Sequence, residues 1–496
     1  MKLYILQSVK YSPNVQYETG YPPLGVAYVA AYLRDRIPNL EIMIRNKWDA
    51  SDVLAEKPDF LAITSVTQNF DIARSISKEV KEKLGIPIVG GGEHISCIPT
   101  DLPQGMDVAV LREGEITFHE VFKAFVEDGS LKPSRLKNIL GISYRDDDGK
   151  IQVNQPRPSI ENLDEIPYPA RDLFPPGPQL MFTARGCSYR CKFCSSAAFW
   201  ETIRFFSPQR VIDEVKVILE TDPSTRSIMI YDDLFAAKKE RINIIADMLV
   251  AEGIPQRIGF WADSTANMII EPICGALKKM NMDGISFGFE SGNNDMVQWL
   301  KGKWTSKATN QKAISLCKKY GIEVHGSFML GLPDETEAQM METLEFIKTE
   351  DYDKGGIAVC TPLPGTPFWE MGLKKGLVVN HMERWEDLRL RTDSGFPEND
   401  DGYILMTDRV PRRIFREIFE ECAQEIKRRQ KIYEERRAEK YARKLRFRDF
   451  FSTANIGRAL KEPGRAARYA KKFLTQKVSG FLPSKPEPKQ PAVCAH

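Results

Sequence analysis

Short apolar runs alternate with amphipathic stretches along the first 130 residues of the chain. Five runs rich in apolar and β-branched residues predict strands: KLYILQSV, EIMIRNK, DFLAITSV, IPIVGGG and DVAVLREG. Between them, apolar residues recur at helical spacing in stretches such as PLGVAYVAAYLRDR and DIARSISKEVKEKLG. Strands that alternate with helices predict an α/β domain with a doubly wound parallel sheet.

The same alternation resumes at residue 181 and continues to about residue 375. Six further runs predict strands: QLMFTA, SIMIYD, IGFWAD, GISFGFE, VHGSFML and GIAVCTP. Amphipathic stretches such as PQRVIDEVKVILE separate them. Six strand–helix units predict a partial (β/α)6 barrel, in which residues at the carboxyl ends of the strands build the site.

The segments outside these two α/β regions differ in composition. Residues 136–180 predict a connector, with a hairpin on Asp148-Gly149 and then the proline-rich ENLDEIPYPARDLFPPGP. After the barrel, the irregular acidic segment RTDSGFPENDDGYILMTD leads to a helix from about Pro411 to Arg448. The chain therefore divides into a sheet domain (1–135), the connector (136–180), the barrel (181–375), a helical region (376–450) and a basic, partly disordered tail (451–496).

The composition is that of an ordinary globular protein, with 42% hydrophobic and 28% charged residues among 496. The N-terminus MKLYILQSVKY lacks the long apolar core of a signal peptide, and no run approaches the roughly 18 apolar residues of a membrane span. These features predict a cytoplasmic protein. The nine cysteines, an odd number, fit a reducing compartment.

Charge is unevenly distributed, although the net charge is only +2. Between Lys427 and Lys477 the sequence has 18 Lys and Arg residues but 5 Asp and Glu residues. Such a segment is compatible with a solvated helix that has salt-bridged faces, and also with binding to an anionic partner. Its part ANIGRALKEPGRAARYAKKFL has apolar and basic residues at helical spacing, which is compatible with peripheral contact to an anionic membrane.

Three cysteines in MFTARGCSYRCKFCSS carry the most specific chemistry of the sequence. Cys187, Cys191 and Cys194 have the spacing C-x3-C-x2-C, just after an apolar run. Three thiolates this close together can hold three irons of a [4Fe–4S] cluster and leave the fourth iron open to a small molecule. A structural zinc site is disfavoured, because it uses paired C-x2-C knuckles and no nearby Cys or His supplies a fourth ligand.

With Phe193 before the last cysteine and Arg185-Gly186 ahead of the first, this segment resembles the radical S-adenosylmethionine (SAM) superfamily. The resemblance implies that the three cysteines hold the cluster and that SAM chelates its open iron. Reduction then cleaves SAM to a 5′-deoxyadenosyl radical, which abstracts hydrogen from unactivated carbons. It also implies an electron donor of the flavodoxin or ferredoxin type.

Segments at the predicted strand ends also match the superfamily and imply contacts to SAM. Glu290, in Glu-Ser-Gly, is expected to accept hydrogen bonds from the ribose hydroxyls or the methionyl ammonium. Gly331, in Gly-Leu-Pro-Asp-Glu-Thr, is expected to let the backbone approach adenine. Asp263 and Ser264 are candidates for the ribose or the carboxylate of SAM, and Phe193 is assigned to the same cofactor.

Two other polar pairs follow predicted strands. Asp232-Asp233 either bind the SAM amino group or substrate, or merely cap the next helix. Glu335 and Thr336 are expected to start a helix.

The first domain, with PPLG at residues 22–25, resembles the cobalamin-binding domain that precedes many radical SAM domains and has a Rossmann- or flavodoxin-like sheet. Ligands of such sheets bind outside the carboxyl ends of the strands, where glycines permit the approach of a flat ligand. The candidate contacts are Ser65, Thr67, Gly90, Gly91, Gly92, Glu93, Glu113 and Gly114. The D-x-H-x-x-G signature that places a His on cobalt is absent, and His94 is a poor candidate for that ligand. A vestigial domain without cobalamin is the alternative.

Together these resemblances predict a cobalamin-dependent radical SAM enzyme that methylates an unactivated carbon of a small-molecule or lipid-like substrate. One SAM supplies the methyl group through cobalamin, a second gives the radical, and residues 376–450 shape the substrate pocket. The alternative within the class is oxidative cyclisation or rearrangement without methyl transfer. A methylthiotransferase is a distant alternative, because the first 180 residues contain only Cys97, and so is a non-catalytic cobalamin-binding protein. No nucleic-acid partner is expected.

Overall fold

A computed structural model describes residues 1–10, 23–174, 177–388 and 403–450 of the chain. Most of the acidic segment after the barrel, the whole basic tail and Pro22 of the PPLG turn lie outside these residues. The chain divides into two compact units, Met1–Gln430 and Lys431–His496, and the sites described below lie in the first. None of the described helices is long and apolar enough to cross a membrane.

A seven-stranded sheet forms the N-terminal part of the protein. Its strands are β1 (Lys2–Ser8), β2 (Glu41–Lys47), β3 (Phe60–Thr64), β4 (Ile88–Gly91), β5 (Val108–Val110), β6 (Ile142–Arg145) and β7 (Ile151–Val153). They lie in the order β2-β1-β3-β4-β5-β6-β7, and the first five run parallel, as the sequence predicts. The hairpin β6–β7, which the sequence analysis assigns to the connector, pairs antiparallel with β5 and extends this sheet.

Helices cover both faces of this sheet, which makes it doubly wound. They are α1 (Leu24–Arg34), α2 (Ser51–Glu56), α3 (Phe70–Leu84), α4 (Glu93–Cys97), α5 (Gly114–Asp128) and α6 (Pro133–Leu136). Leu33 of α1 and Phe122 of α5 are buried on one face, whereas Ile76 and Val80 of α3 are buried on the other. Helix α3 ends where Gly85 adopts a left-handed φ of 65°, a common helix terminator.

A second sheet has six parallel strands, all of which the sequence predicts. The strands of this half are β8 (Gln179–Met181), β9 (Ala184–Arg185), β10 (Arg204–Phe205), β11 (Ser227–Ile230), β12 (Gly259–Ser264), β13 (Met282–Glu290), β14 (Glu323–Leu330) and β15 (Lys354–Val359). The sheet order β15-β14-β13-β12-β11-β8 is that of a partial barrel, while β9 and β10 form a separate antiparallel pair.

The helices of this half begin with α7 next to the cysteines and end with a long C-terminal helix. They are α7 (Ser196–Phe199), α8 (Pro208–Thr221), α9 (Lys239–Ala251), α10 (Glu271–Lys279), α11 (Asn294–Lys301), α12 (Lys307–Tyr320), α13 (Glu337–Thr349), α14 (Pro367–Lys374) and α15 (Arg412–Phe450). Thr336 starts α13 as predicted, through a capping box with Gln339. The predicted C-terminal helix corresponds to α15.

The two faces of the barrel sheet carry different side chains. The face covered by helices is apolar and includes Ile228, Phe260, Ile285, Val324 and Ile357. The inner face is polar or small near the carboxyl ends of the strands, where Asp263 pairs with Ser286, and Ser327 lies between Gly288 and Gly356. Small side chains leave room inside the barrel at the end where sites are built.

Helix α1 contributes to a core on each of its two sides. Ala31 and Leu33 pack with the N-terminal sheet, whereas Leu24 and Tyr28 belong to the core of the barrel. The Tyr28 hydroxyl donates a hydrogen bond to Glu214 of α8 at 3.4 Å. The two halves are therefore packed together along this helix.

After the barrel the chain returns to the N-terminal domain. Trp385, in a single 3₁₀ turn (Trp385–Leu388), is fully buried, and its Nε1 donates to Asp101 at 2.9 Å. The same carboxylate lies 3.1 Å from Nε2 of the buried His94. The ring of His94 packs against Phe70, with 3.8 Å between ring centroids. Trp385 thus completes the core of a domain whose last strand ends at Val153.

A buried ion-pair network also joins the two halves. Arg185 of β9 lies 2.7 Å from Glu113 and 2.5 Å from Glu115, the residues at the start of α5. Arg204 of β10 contacts the other carboxylate oxygen of Glu113 at 2.8 Å. These four side chains are at most 11% exposed. Charges buried this deeply are tolerated only while they remain paired.

Replacing Arg185 is therefore expected to destabilise the protein strongly. In Arg185→Met, the carboxylates of Glu113 and Glu115 lose their shared partner, which costs about 3–5 kcal/mol of unfolding free energy. Arg34→Met is the matched control, because the Arg34–Asp172 pair is exposed and is worth less than about 1 kcal/mol. The measurement is the urea-unfolding midpoint of each variant under anaerobic conditions. Equal losses in the two variants would contradict the structural role of Arg185.

Candidate functional site

The three cysteines lie in an irregular loop between β9 and α7. The loop backbone is held on two sides, at the end of α11 and at the start of α14. The Lys192 N–H donates to the Leu300 carbonyl at 3.0 Å, and the Lys192 carbonyl accepts from the Phe368 N–H at 3.2 Å. A turn from the Cys194 N–H to the Cys191 carbonyl, at 3.2 Å, brings the second and third cysteines together. The loop is thus positioned by barrel helices.

The loop begins with Gly186, which no other residue can replace unless the surrounding backbone moves. Gly186 has a left-handed φ of 87°. A Cβ built on it would lie 2.5 Å from the carbonyl oxygen of Thr202 and 3.0 Å from the side chain of Trp200. Glycine is required here both by its φ and by this close approach.

Backbone N–H groups are directed at the thiols. The Tyr189 N–H lies 3.4 Å from Sγ of Cys187, and two N–H groups at the start of α7 bond to Cys194. Burial raises the pKa of Cys191 to about 12 and that of Cys194 to about 11, and for Cys194 the N–H groups oppose the rise. N–H donors stabilise the thiolate, which is the form that binds iron.

The donor set fits a [4Fe–4S] cluster. Among the residues that the structure describes, no three His, Cys, Asp or Glu side chains converge on a single metal ion. Three cysteines that each bind a different iron need no such convergence. The loop of Cys187, Cys191 and Cys194, with its N–H donors, therefore remains the place to which we assign the cluster.

Phe193 anchors the cysteine loop in an apolar cluster. Its ring lies 6.5 Å from that of Phe368 and packs with Met296, Leu300 and Leu332. This packing accounts for an aromatic residue before the last cysteine. The contact between Phe193 and SAM remains a prediction.

The two aspartates after β11 have different environments. Asp232 is buried and accepts hydrogen bonds from the N–H groups of Thr183 at 2.6 Å and Ala184 at 3.0 Å. Burial raises the pKa of Asp232 to about 6. Its carboxylate holds the chain just ahead of the cysteine loop, which is neither of the roles that the sequence suggested. Asp233 instead lines a cavity that faces the N-terminal sheet, and burial raises its pKa.

Asp263 and Ser264 lie on opposite faces of β12, because side chains alternate along a strand. Asp263 is on the inner face and accepts a hydrogen bond from Ser286. Burial raises the pKa of Asp263 to about 6, and the nearby charge of Asp233 adds to the rise. The Ser264 Oγ is buried without a hydrogen-bond partner in the described chain. The structure thus brings Asp263, but not Ser264, towards the barrel interior.

Glu290 ends β13 with a left-handed φ of 66°, a strained conformation for a residue other than glycine. Its buried carboxylate lies 3.4 Å from Nζ of Lys301, which also donates to the Gly288 carbonyl at 2.6 Å. Burial raises the pKa of Glu290, and Lys301 opposes the rise. Lys301 is not recognisable as a partner of Glu290 from the sequence, because a separation of 11 residues gives no local signal.

The turn after β14 is stabilised by hydrogen bonds to one of its own side chains, that of Glu335. Gly331 has a φ of 79°, and a Cβ on it would lie 2.8 Å from Leu405 and 3.1 Å from Phe415. The N–H groups of Gly331 and Leu332 donate to the Glu335 carboxylate at 2.8 and 3.0 Å. Burial raises the pKa of Glu335 to about 8. Glu335 therefore stabilises this turn instead of starting α13. The space beside Gly331 on the side of Leu405 is occupied by protein side chains.

A cavity of about 260 Å³ lies between the carboxyl ends of the N-terminal strands and the barrel. Five glycines line its sheet side: Gly25, Gly90, Gly91, Gly92 and Gly114. Its barrel side has the aromatic residues Phe182, Phe199 and Trp200, and Asp233. A glycine-lined floor opposite an aromatic wall fits a flat macrocycle such as that of cobalamin.

Three of the predicted cobalamin contacts, Ser65, Thr67 and Glu93, lie outside the lining of this cavity. Ser65 is buried and accepts a hydrogen bond from the Ser8 hydroxyl at 2.7 Å. Thr67 is buried with its Oγ1 3.3 Å from Nδ1 of His94. Since the other ring nitrogen of His94 faces Asp101, this histidine is unsuited to be a cobalt ligand, as expected.

The two predicted carboxylates of this site are both engaged by protein groups. Glu93 is hydrogen-bonded to Ser195 beside the third cysteine, and burial raises the pKa of Glu93. Glu113 lines the cavity, but its two oxygens contact Arg185 and Arg204. We therefore expect both carboxylates to position the cavity walls rather than to hold a ligand. The sequence analysis noted Arg185 only as the residue ahead of Gly186 and missed its partners.

Comparisons with known proteins agree with this arrangement. A model of the Radical SAM superfamily matches residues 181–347, and a model of the B12 binding domain matches residues 14–122. An uncharacterized methyltransferase of Pyrococcus horikoshii is 32% identical over 380 residues, which are 73% of this chain and 80% of the relative. The anaerobic magnesium-protoporphyrin IX monomethyl ester cyclase of Rubrivivax gelatinosus is 26% identical over 409 residues, 75% of this chain and 70% of the relative.

Solved structures share the fold. The radical S-adenosylmethionine methyltransferase TsrM from Kitasatospora setae, solved with tryptophan and a SAM analog, matches with a TM-score of 0.62 at 18% identity. The match covers 75% of this chain and 76% of that chain.

Lys301 offers a test of the assignment of Glu290 to SAM. In Lys301→Met, the pKa of Glu290 rises because burial is no longer opposed by the cation. If the ionised Glu290 carboxylate binds SAM, the affinity for SAM falls as the pH drops below the pKa of Glu290. Because that pKa is higher in Lys301→Met, the variant loses affinity for SAM at a higher pH than the wild type. At neutral pH we expect SAM binding to weaken by about 10-fold to 100-fold, the value of a charged hydrogen bond.

The measurement is SAM binding by calorimetry to cluster-loaded protein as a function of pH. Lys301→Arg keeps the charge and is expected to keep the wild-type pH profile, while iron analysis checks that both variants hold the cluster. Identical profiles for the Met and Arg variants would exclude Glu290 as a titrating SAM contact.

Proposed function

The chain belongs to the radical SAM superfamily, in the group whose members also carry a B12-binding domain, and we propose that it methylates an unactivated carbon of a small-molecule or lipid-like substrate. Its cofactors are a [4Fe–4S] cluster, SAM and cobalamin. The observation that supports this proposal best is the cavity between the two halves. One wall consists of the glycines of the N-terminal sheet, and the other reaches Asp233 beside the cysteine loop.

Each part of the site has an assigned task. When bound, the cluster provides the electron for SAM cleavage, and cobalamin provides the methyl group. Cys187, Cys191 and Cys194 hold the cluster, and Glu290 and Asp263 bind polar groups of SAM from the barrel side. Asp233 has the Ser196 side chain and the Gly186 N–H as hydrogen-bonding neighbours. It is the one carboxylate of the cavity lining that no ion pair occupies in the described residues, and we assign it to substrate or to the SAM amino group.

Two of the glycines assigned to cobalamin have no room for a side chain. Gly92 has a φ of 99°, and a Cβ on it would lie 2.6 Å from the Ser65 carbonyl oxygen. A Cβ on Gly90 would lie 2.6 Å from Sδ of Met106. At Gly92, both the φ and the close contact with the Ser65 backbone require glycine, whereas a side chain at Gly90 would displace that of Met106.

The names of two relatives point to different outcomes, since one is a methyltransferase and the other a cyclase. Product analysis separates them. Anaerobically purified protein, loaded with iron, sulfide and cobalamin, is incubated with SAM, a reductant and a small-molecule extract. Methylation yields S-adenosylhomocysteine together with 5′-deoxyadenosine, whereas cyclisation or rearrangement yields 5′-deoxyadenosine alone.

We expect both products in comparable amounts and a visible spectrum that reports cluster and cobalamin together. Cys191→Ala is the control, since it removes a cluster ligand and is expected to abolish 5′-deoxyadenosine formation. Formation of 5′-deoxyadenosine without S-adenosylhomocysteine would overturn the methyltransferase proposal. Full activity of Cys191→Ala would overturn radical chemistry altogether.

We also propose that the protein acts in the cytoplasm and touches an anionic membrane surface through residues 452–496. The support is the oxygen-labile cluster, which needs a reducing compartment, and the pattern of basic and apolar residues in that segment, which lies outside the described residues.

The membrane contact is tested by sedimentation with vesicles. Full-length protein is expected to sediment with anionic vesicles and to stay in solution with neutral ones, because the attraction is electrostatic. Protein truncated before residue 452 is expected to stay in solution with both, with cobalamin and iron content confirming that it is folded. Sedimentation unaffected by the truncation would rule out the tail as the membrane contact.

A further inference from the structure

A second cavity, of about 660 Å³, opens on the outer side of the cysteine loop. Four of its lining residues lie between the first and last cysteines: Ser188, Tyr189, Arg190 and Lys192. The Tyr189 N–H contacts Sγ of Cys187 at 3.4 Å, so the wall of this cavity touches a cluster ligand directly. The cavity shares no lining residue with the one that faces the N-terminal sheet.

The outer cavity is positively charged. Arg190, Lys192 and Lys301 line it, Lys303 is exposed next to it, and none of its described lining residues is acidic. Lys301 is paired with Glu290. Arg190, Lys192 and Lys303 form no ion pair with any described residue. Arg190 donates hydrogen bonds to the carbonyls of Cys187, Tyr189 and Glu201, and Lys192 lies over the Trp299 ring, so no carboxylate neutralises their charges.

Two tryptophans give the same cavity a flat apolar surface. Trp304 is 74% exposed, more than any other large apolar side chain in the described residues. Trp299 lies deeper, with Nζ of Lys192 4.2 Å from its ring centroid and the ring of Phe368 stacked at 5.6 Å. An exposed Trp amid basic residues is typical of the central contact of a protein interface.

We propose that this surface, formed by Arg190, Lys192, Trp299, Lys303 and Trp304, docks an acidic flavodoxin-type electron carrier. The proposal rests on the proposed function, because reductive cleavage of one SAM consumes one electron. The C–S bond breaks to give methionine and the 5′-deoxyadenosyl radical, and the carrier is oxidised by one electron. The inner cavity is assigned to cobalamin and substrate, so the outer face of the cysteine loop is the side on which a carrier protein has access.

Charge and shape together favour a flavin protein. The basic side chains complement an acidic carrier and increase its association rate. The two indole rings offer planar surface on which the exposed edge of a flavin can stack. Whatever binds here contacts the residues between the cysteines, and thereby approaches the cluster without crossing the barrel.

The test uses binding and reduction in parallel. The dissociation constant of the cluster-loaded enzyme for a bacterial flavodoxin is measured by calorimetry at low and high salt. We expect Lys303→Glu to weaken binding about 10-fold and to reduce its salt dependence, and Trp304→Ala to weaken it about 10-fold or more. Lys137→Glu, at an exposed lysine after α6, is the matched control and is expected to leave binding unchanged.

The second readout compares two reductants. Lys303→Glu and Trp304→Ala are expected to slow SAM cleavage with reduced flavodoxin but not with dithionite, which is small and needs no docking surface. Unchanged flavodoxin binding in both variants, or tighter binding of a ferredoxin than of flavodoxin, would overturn the proposal. An enzyme that cleaves no SAM even with dithionite would instead contradict the proposed function. The docking proposal would still be tested, because flavodoxin binding is measured independently of SAM cleavage.

Discussion

The buried pairing of Arg185 with Glu113 and Glu115 is the constraint on which the two halves of the molecule depend. Arg185 ends β9 one residue before Gly186 and two before Cys187, while the two carboxylates start α5. Three charges at most 8% exposed cannot be solvated separately, so the start of the cysteine loop and the carboxyl edge of the N-terminal sheet are fixed to each other. Together with the Arg204–Glu113 pair and helix α1, this side chain fixes the separation between the two proposed cofactor sites.

The same logic explains why the carboxylates around the site serve different purposes. Asp232 and Glu335 accept hydrogen bonds from backbone N–H groups and hold the ends of strands, whereas Glu113 neutralises buried arginines. Asp233, Asp263 and Glu290 retain capacity for further partners, and burial raises the pKa of each. A positively charged ligand is therefore attracted by Asp233 and Asp263, which form no ion pair within the described residues, whereas Glu290 already has Lys301 as a cationic partner.

Periodicity and spacing predict much of this protein. The eleven strands read from apolar runs are present, because a buried parallel strand needs a continuous apolar segment and leaves it in the sequence. The cysteine loop is equally predictable, because its three cysteines are close together in the sequence. The residue pairs that define the site are distant in the sequence: Arg185 and Glu113 are separated by 72 residues, and Thr183 and Asp232 by 49. Nothing in the local pattern of either partner predicts the pairing. Gly331 shows the same limit, because the residues that fill the space beside it come from a later segment of the chain.

Trp385 imposes an order on the formation of the native state. Its indole bonds to Asp101 across 284 residues of sequence and is fully buried in the core of the N-terminal domain. During synthesis, the sheet and its helices leave the ribosome first, yet their core stays incomplete until the whole barrel has followed. The core of the domain that is made first is therefore completed only after the barrel strands have been made, and until then the rings of His94 and Phe70 lack the cover of Trp385. Long-range closure of this kind slows folding, because the chain between Asp101 and Trp385 must be brought together before the core is complete.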